Sequence, residues 1–283
     1  NLVIFHQQSI GYDLASRFIF KSKHIKLFIL DTNFFCKKSY NEYNNNPCFS
    51  CYTSFNPYID CYHHPYGKAK DKDYLKFLKS LSDNVKNIEF IVQTEGYKKL
   101  IKEKFNTYKI EIKKMYHEKL ISENLSYKDE INNFKFDFFY HAHITPPKGI
   151  NYYYELANQM PEKYFFLPSK FDYKKISKNI SYKKINWSKE FIDIMKISKI
   201  IICPSVWTYP VESAVIKSLL LKKGVAIISN RHSFSDTIPG DCIIKLTGNT
   251  KEDIIILSNI LRDNKYIDYG KNGYDWVIKY LKN

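Results

Sequence analysis

The sequence predicts an α/β protein, because segments typical of strands alternate with segments typical of helices along the chain. The clearest strand is residues 200–203, whose unbroken apolar run is typical of a parallel strand buried on both faces. A helical pattern follows it, and Gly224 separates that helix from a second buried run, residues 225–228. With 283 residues, of which 44% are apolar, the chain can form two domains with cores of their own.

The first part of the chain has the pattern of a parallel sheet with covering helices. We predict its strands over residues 1–7, 24–30, 88–94 and 108–116. We predict its helices over residues 10–20, 73–82 and 96–105. Residues 36–68 form a Cys-rich loop without a regular pattern, and the polar residues 117–134 are predicted to cross between two lobes. The first lobe is therefore assigned to residues 1–125.

The second lobe, residues 126–283, has the same alternation of strands and helices. We predict its strands over residues 135–143, 163–169, 200–203, 225–228 and 242–246, with a lysine-rich connection that leads from the second of these to residues 180–187. We predict its helices over residues 150–160, 189–198, 210–223, 251–264 and 273–282.

The charge of the chain limits its partners. A net charge of +15 favours anionic partners such as nucleotide phosphates or an anionic membrane surface. The lysines are spread along the chain rather than clustered, which argues against binding of nucleic acid. No apolar run approaches the ~18 residues of a membrane span, and no secretory signal is visible. We therefore expect a cytoplasmic protein that can associate peripherally with the inner face of a membrane.

Candidate functional residues follow the predicted strand 200–203. Trp207 and Tyr209 lie in the loop after this strand, and Glu212 stands at the start of the next helix. Ligands of open α/β sheets bind at the carboxyl ends of the strands. This loop is therefore the first candidate for a ligand site.

Three segments, residues 91–116, 138–161 and 199–238, resemble in order and spacing the hinge and the donor-binding half of the retaining GT-B glycosyltransferases. This large family is also known as the group 1 or family 4-like glycosyltransferases. The resemblance covers residues 86–283 well and the front of the chain loosely. It implies two Rossmann-like lobes of the GT-B type, in which the second lobe binds a nucleotide-sugar donor and the first binds the acceptor.

The resemblance also assigns residues to the donor site. In this family an arginine and a lysine of a basic loop grip the donor diphosphate; His143 and Lys148 stand at these positions. The family's donor loop normally has two glutamates, and this chain has Glu212 and Lys217 instead. Lys217 would supply the second cation of the site, because His143 carries no charge when it is neutral. The implied donor-binding residues are His143, Lys148, Trp207, Tyr209, Glu212, Ser213 and Lys217.

Each of these residues also has a purely structural interpretation. Glu212 is suited to complete a helix dipole, and Lys148, His143 and Lys217 fit a solvated loop or helix surface. The two aromatic residues of the donor loop are equally suited to covering a core.

The front of the chain begins directly in a strand-like run. The resembled family has an earlier strand and a glycine-rich loop there, so we expect the first lobe to be incomplete at its N-terminus. By their positions at the ends of two predicted strands, His6 and Asp31 are expected to line the acceptor side of the cleft. The resemblance thus implies Asp31, Lys148 and Glu212 as catalytic residues, although capping or core roles for His6 and Asp31 stay open.

Four of the six cysteines and two histidines fall within one short stretch: Cys36, Cys48, Cys51, Cys61, His63 and His64. Cysteines with two residues between them can turn both sulfurs toward one tetrahedral centre, so a structural zinc ion bound by the four cysteines is one interpretation. Unmodified thiols are an alternative, and a disulfide is less compatible with a reducing cytosol.

The sequence thus predicts a retaining glycosyltransferase of the hexosyltransferase type that needs no cofactor for catalysis. It would move a sugar from a nucleotide-sugar to a glycan or a lipid-linked acceptor, in the assembly of bacterial surface polysaccharide of the capsule or lipopolysaccharide type. One alternative is a catalytically weak glycosyltransferase-like subunit that acts with a partner enzyme. A further alternative is a nucleic-acid-binding protein in which a metal ion at the cysteine cluster stabilises the fold. The sequence shows no basic recognition helix that would support this alternative.

Overall fold

The computed structural model describes residues 1–53, 55, 69–114, 133–169, 177–185 and 189–282. The chain forms two compact units, each an α/β structure, which confirms the predicted fold class. The first unit comprises Asn1–Met115, Trp207–Val211 and Asn230–Thr237. The second comprises Tyr116–Val206, Glu212–Ser229 and Ile238–Asn283. The predicted lobe boundary at residue 125 lies outside the described residues and stays a prediction.

The first unit contains a parallel sheet, a short hairpin and covering helices. Its strands are β1 (Leu2–Ile4), β2 (Ile25–Phe28), β3 (Glu42–Tyr43), β4 (Asn46–Pro47), β5 (Ile88–Val92) and β6 (Ile110–Ile112). Its helices are α1 (Gln7–Ile10), α2 (Tyr12–Lys21), α3 (Ala69–Asp83) and α4 (Glu95–Phe105), with single 3-10 turns at Val85–Asn87 and Phe234–Asp236.

The described strands of the first sheet follow one direction, β1-β2-β5-β6, and all are parallel. Right-handed crossovers that advance in one direction place their helices on the same face of a sheet. In agreement with this rule, Ile4, Leu27 and Phe90 join one apolar core with residues of α2, α3 and α4. Val3, which alternates with these positions, is 52% exposed.

Two local predictions for the first unit are corrected. The predicted strand 1–7 ends at Ile4, because His6 already caps the short helix α1. The predicted helix 10–20 is interrupted at Gly11, whose φ of +83° a helix cannot include.

The loop 36–68 contains the hairpin β3–β4, whose turn residues Asn44 and Asn45 both have positive φ. This is the backbone of a type I′ turn, for which asparagine is well suited. The expected N-terminal incompleteness of this lobe stays a prediction.

The second unit contains a larger parallel sheet. Its strands are β7 (Phe136–Tyr140), β8 (Phe165–Ser169), β9 (Ile180–Lys184), β10 (Ser198–Cys203), β11 (Gly224–Ile228) and β12 (Ile244–Leu246). Its helices are α5 (Ile150–Gln159), α6 (Lys189–Lys196), α7 (Ser213–Leu220), α8 (Thr250–Arg262) and α9 (Tyr266–Lys282), with a 3-10 turn at Pro146–Lys148.

The strand order of the second sheet is β12-β11-β10-β7-β8-β9 over the described residues. The chain moves outward from β7 through β9 and then returns to β10 on the other side of β7. This is the doubly wound order of a Rossmann fold, as predicted. The reversal lies between β7 and β10, which pair in parallel through Ile202 and Tyr140 at their carboxyl ends.

None of the helices in the described part of the chain combines the length and the apolar character that crossing a membrane requires. The polarity of the helices agrees with this finding, because all of them carry charged residues on their exposed faces or at their ends, except the four-residue α1.

Candidate functional site

The loops that follow β7 and β10 meet at the point where the second sheet reverses its winding. In open α/β sheets the reversal opens a crevice at the carboxyl ends of the two strands, and ligands bind there. Val206 of one loop donates its backbone N–H to the carbonyl oxygen of Pro147 in the other, at 3.0 Å. The fold therefore fixes both loops against each other at the edge where a ligand is expected.

The loop after β7 is shaped by Tyr140 and Gly149. The buried Tyr140 hydroxyl lies 2.7 Å from the carbonyl oxygen of His143 and 3.0 Å from that of Lys148, so it fastens the two ends of the loop. Gly149 has a φ of +76°, and a Cβ at this position would lie 1.9 Å from the carbonyl oxygen of Pro204. Only glycine allows this close approach, which brings Lys148 beside the loop after β10.

The loop after β10 ends at Glu212, which is the N-cap residue of α7. Its backbone carbonyl accepts the N–H of Ile216, and its side chain accepts the hydroxyl of Ser205 at 2.9 Å. A carboxylate at a helix N-terminus is stabilised by the helix dipole. The sequence prediction that Glu212 stands at the mouth of this helix is therefore confirmed.

Lys148 and Glu212 form a buried ion pair across the reversal. The Lys148 Nζ lies 2.9 Å from each carboxylate oxygen of Glu212, although 64 residues separate them in the sequence. Their side chains are only 11% and 9% exposed. At such burial the electrostatic interaction is stronger than at a surface, and both charges are held in fixed positions.

The groups around this ion pair are buried and uncharged at neutral pH. Burial, and then the charge of Glu212, raise the pKa of Tyr140 well above its usual value, so its hydroxyl stays a donor. Burial, and then the charge of Lys217, lower the pKa of His141 to about 3. The Ser218 hydroxyl donates to the carbonyl oxygen of Ala214 at 2.8 Å. The Nδ1 of His141 lies 2.9 Å from Ser218 Oγ, within hydrogen-bond distance.

The other predicted donor-site residues of the second unit are placed less tightly. His143 is exposed, and in the described contacts only its backbone carbonyl takes part, as an acceptor from Tyr140. Ser213 is exposed as the first residue of α7, and Lys217 is half-buried one turn later. The charge of Lys217 reaches His141, which places it near the site. Their roles in donor binding stay predictions.

Trp207 and Tyr209 belong to the first unit and are 4% and 0% exposed. The Trp207 ring meets Tyr40 edge-to-face, with the ring centroids 4.5 Å apart. The backbone carbonyls of the two residues accept hydrogen bonds from the Asn230 side chain at 3.3 Å and the Phe234 N–H at 2.8 Å. This placement favours packing, the structural interpretation of the pattern, over stacking on a nucleotide or sugar.

In the first unit, His6 and Asp31 come together just beyond the carboxyl ends of β1 and β2. The Nε2 of His6 lies 3.8 Å from the Oδ2 of Asp31, while its Nδ1 lies 3.0 Å from the Ser9 hydroxyl. The His6 side chain is 43% exposed, and that of Asp31 is 12% exposed. The two residues thus lie close together, and their predicted place on the acceptor side of a cleft stays a prediction.

Asp31 belongs to a buried polar network. It accepts the backbone N–H of Asn33 at 2.8 Å, and the Asn33 side chain in turn bonds Gln7, Tyr12 and Ser39. Burial raises the pKa of Asp31, opposed by the hydrogen bond from Asn33, the charge of His6 and the hydroxyl of Ser39. The hydrogen bonds and the charge of His6 thus offset part of the effect of burial on the pKa of Asp31. Burial has the larger effect, so the carboxylate takes up a proton more readily than an exposed one.

The predicted zinc site in the Cys-rich loop falls only partly on described residues and stays a prediction. Within the described ranges, no group of three or more His, Cys, Asp and Glu side chains is arranged to hold a metal ion. Burial raises the pKa of Cys36 to about 12, and the charges of Cys51 and Cys48 add to this effect. Cys61, His63 and His64 lie outside the described residues, so the predicted four-cysteine site stays untested as a whole.

Sequence reasoning did not single out Ser205 and Tyr140, which hydrogen-bond to the Glu212 carboxylate and to the Lys148 carbonyl oxygen. The available signal was their position. Tyr140 and Ser205 directly border the ends of buried strands that flank the reversal. Polar residues at such strand ends are candidates for a site even without a motif.

Comparison with solved structures identifies the fold. TarM of S. aureus is 14% identical, with a TM-score of 0.60 over 92% of this chain and 48% of TarM. Sucrose-phosphate synthase from Thermosynechococcus elongatus is 13% identical, with a TM-score of 0.61 over 97% of this chain and 76% of that chain. HepE of Anabaena, solved with UDP-glucose, is 10% identical, with a TM-score of 0.63 over 98% and 74%.

The chain has the GT-B fold of these glycosyltransferases. This confirms the fold that the resemblance implied, with the doubly wound second sheet as its clearest part. No protein-family model matches the chain, and no curated protein matches it in sequence. The chain spans about half the length of TarM, and the similarity to the solved structures is a similarity of fold.

Proposed function

We propose that the protein is a glycosyltransferase that binds a nucleotide-sugar donor at the reversal of its second sheet. The observation that carries the proposal is the Lys148–Glu212 ion pair, buried at the ligand-binding edge of a GT-B fold. The comparison with HepE, which was solved with UDP-glucose, supports a nucleotide-sugar as the ligand. A second sheet with Rossmann winding fits the same class of ligand.

The ion pair suits the chemistry of sugar transfer. When the bond between the anomeric carbon and the diphosphate breaks, negative charge grows on the departing diphosphate, and a fixed cation stabilises that charge. Lys148 supplies this cation, and the N-terminus of α5 directly after it adds favourable backbone dipoles. Glu212 fixes the ammonium group, and its carboxylate can exchange that contact for hydroxyl groups of the sugar or ribose.

The reaction we propose retains the configuration of the anomeric carbon. The acceptor hydroxyl oxygen forms the new bond to that carbon on the face that the diphosphate leaves, and its proton passes to a diphosphate oxygen. No divalent cation is required in this scheme, because Lys148, with Lys217 as a second cation, replaces it. His143 contributes to diphosphate binding only when it is protonated or donates a hydrogen bond.

The acceptor is proposed to be a glycan or a lipid-linked sugar of bacterial surface-polysaccharide assembly in the cytoplasm. His6 and Asp31 are suited to contact it, because a partly exposed imidazole beside a buried carboxylate can orient a hydroxyl group. An anionic membrane surface is a fitting location for a lipid-linked acceptor. Helix α2 exposes Leu14 and Phe18 beside Arg17, which is the amphipathic pattern that binds such surfaces.

The experiment that tests the proposal is incubation of the protein with a panel of nucleotide-sugars, with and without glycan acceptors. We expect hydrolysis or transfer with at least one donor, equal rates with and without EDTA, and an α-linked product from an α-linked donor by NMR. Turnover that strictly requires manganese or magnesium would contradict the cation assignment, and inversion at the anomeric carbon would contradict retention. Donor binding without turnover would favour the alternative, a glycosyltransferase-like subunit that acts with a partner enzyme.

A further inference from the structure

Tyr140 is the last residue of β7, and its side chain is completely buried. Its single hydroxyl proton is shared between two backbone carbonyl oxygens, that of His143 at 2.7 Å and that of Lys148 at 3.0 Å. Burial, and then the charge of Glu212, raise the pKa of Tyr140, so the hydroxyl keeps this proton. The family resemblance assigns the grip on the donor diphosphate to His143 and Lys148. One hydroxyl group therefore binds the backbone of both.

The hydroxyl of Tyr140 is itself held in place by the core of the second unit. Strand β7 pairs with β10 on one side and with β8 on the other, so Tyr140 stands at the end of a central strand. Its ring meets that of Tyr153 on α5 edge-to-face, with the ring centroids 5.1 Å apart. The Tyr153 hydroxyl in turn donates to the carbonyl oxygen of Phe166 at 2.8 Å. Because a densely packed core restricts its side chains, the loop after β7 meets a donor at a fixed position.

Lys148 is held both at its backbone and at the tip of its side chain. Its carbonyl oxygen accepts from Tyr140, and its ammonium group lies 2.9 Å from each carboxylate oxygen of Glu212. The contact at the tip changes when Glu212 exchanges it for hydroxyl groups of the donor, whereas the buried contact with Tyr140 does not depend on the ligand. The backbone contact therefore limits the movement of the ammonium group while it binds the diphosphate. Binding then has less order to create, which is the advantage of a preorganised site.

We propose that Tyr140 is a positioning residue of the donor site: its hydroxyl fixes the backbone of His143 and Lys148 in the arrangement that binds the donor diphosphate. This inference rests on the proposed function, since it takes the loop after β7 as part of the donor site. Tyr140 is completely buried and acts through the loop rather than by touching the donor. A displacement of about 1 Å can lower a rate about 100-fold, so a hydroxyl behind the site is sufficient to affect the reaction.

The test compares Tyr140→Phe with Tyr153→Phe in the full chain. Both substitutions keep the ring and remove one buried hydroxyl that donates to a backbone carbonyl oxygen. The hydroxyl of Tyr153 binds strands β7 and β8 rather than the loop, so Tyr153→Phe is the matched control. Titration calorimetry measures binding of uridine diphosphate and, by displacement, of uridine. Donor kinetics are measured with the best donor of the panel, and mass spectrometry measures amide hydrogen exchange in residues 141–150.

We expect Tyr140→Phe to weaken binding of uridine diphosphate about 10-fold and to lower kcat/KM for the donor about 10- to 100-fold. Uridine carries no diphosphate, so its binding should stay close to that of the unmodified protein. Amide exchange in residues 141–150 should become faster in Tyr140→Phe and stay unchanged in Tyr153→Phe. The melting temperature should fall by about 2–4 °C in both variants, because each loses one buried hydrogen bond. Tyr153→Phe should leave the donor parameters unchanged.

The outcomes separate the two proposals. If the unmodified protein neither binds uridine diphosphate nor turns over any donor of the panel, the proposed function fails, and this inference fails with it. If the unmodified protein binds and reacts but Tyr140→Phe matches Tyr153→Phe in diphosphate binding and in loop exchange, the positioning role alone is refuted. Equal losses for uridine diphosphate and uridine, or loss of the fold in Tyr140→Phe alone, would also refute it, because they indicate a general structural role.

Discussion

The second sheet reverses its winding between β7 and β10, whereas the described strands of the first sheet advance in one direction from β1 to β6. The reversal brings two loops together, and the resulting site holds two opposite charges that compensate each other, Lys148 and Glu212. The first sheet places one buried carboxylate, Asp31, beyond its strand ends, where the half-exposed imidazole of His6 lies 3.8 Å away. Similar strand–loop units thus give different electrostatics, because the order of the strands decides which loops become neighbours.

The largest effect is expected from removing one charge of the ion pair in the second unit. Glu212→Ala leaves the Lys148 ammonium buried without its partner, which costs about 3–5 kcal/mol of unfolding free energy. It also removes the group that fixes the proposed cation, so we expect donor turnover to fall at least about 100-fold. Chemical denaturation and donor kinetics check the two effects.

A matched ion pair in the same unit serves as the control. Lys199 lies 2.7 Å from Asp137, but its side chain is 32% exposed. Lys199→Met should therefore cost less than Glu212→Ala and leave turnover unchanged, because the Asp137 carboxylate, 11% exposed, keeps the Tyr164 N–H as a donor. Similar stability losses in Glu212→Ala and Lys199→Met would show that the first pair has no special burial.

Gly11 in the first unit and Gly149 in the second both have a positive φ, and alanine substitutions at the two positions compare their surroundings. Gly149→Ala adds both a strained φ and a Cβ that overlaps the Pro204 carbonyl, so we expect a loss of about 3 kcal/mol or more and of donor binding. Gly11→Ala meets nothing within 4 Å and bears only the cost of its positive-φ backbone, about 1–3 kcal/mol, so its loss should be the smaller one. Thermal unfolding of both variants measures the difference, and a smaller loss for Gly149→Ala would contradict the close approach of the two loops.

The carboxylate of the first unit can be tested through pH. Burial raises the pKa of Asp31 in the folded state, so the folded protein binds its proton more readily than the unfolded chain does. The resulting stabilisation is fully present below the unfolded pKa of about 3.9 and is lost as the pH rises through the folded pKa. We therefore expect the stability of the unmodified protein relative to Asp31→Asn to fall as the pH rises above about 4.

Asp13 supplies the opposite case within the same unit. The hydrogen bond from Lys76, with the charge and hydrogen bond of Arg17, holds the pKa of Asp13 below its usual value. The stability of the unmodified protein relative to Asp13→Asn should therefore rise with pH through this range. Urea unfolding at several pH values measures both series; slopes of the same sign would contradict the electrostatic contrast between the two carboxylates.

The smallest expected effect concerns Lys217. As a half-buried second cation it should strengthen binding of the donor diphosphate by less than about 1 kcal/mol, so Lys217→Ala should raise the dissociation constant of uridine diphosphate about two- to fivefold. Lys251→Ala on the exposed surface of α8 is the control and should change nothing. Identical dissociation constants for the two variants would contradict the proposal that Lys217 takes part in donor binding.

The sequence was sufficient to predict the alternation of strands and helices, and the family resemblance brought Lys148 and Glu212 to the same site. The contact between them depends on the neighbourhood of β7 and β10, which no local pattern reports. Trp207 shows a second limit. An aromatic residue in a loop has the same sequence signature whether its ring packs on a nucleotide or, as observed, on Tyr40.

The contact between Asn41 and Thr208 was missed for a related reason. The two hydrogen-bonded residues lie 167 positions apart in the sequence, so Asn41 belongs to no motif. The pair Asn44-Asn45 signals the turn that places it, but residues 36–68 attract attention for their cysteines instead. Long-range hydrogen bonds of this kind become visible only once the chain is folded.

The central claim is that an activated sugar is held by the ammonium and carboxylate at the reversal of the second sheet. A crystal structure with bound uridine diphosphate tests it most directly. We predict phosphate oxygens within hydrogen-bond distance of Lys148 Nζ, beside the N-terminus of α5, with Glu212 close to the ribose or the sugar position. Phosphates bound elsewhere, with the contact between Lys148 and Glu212 unchanged and closed to the ligand, would contradict the account.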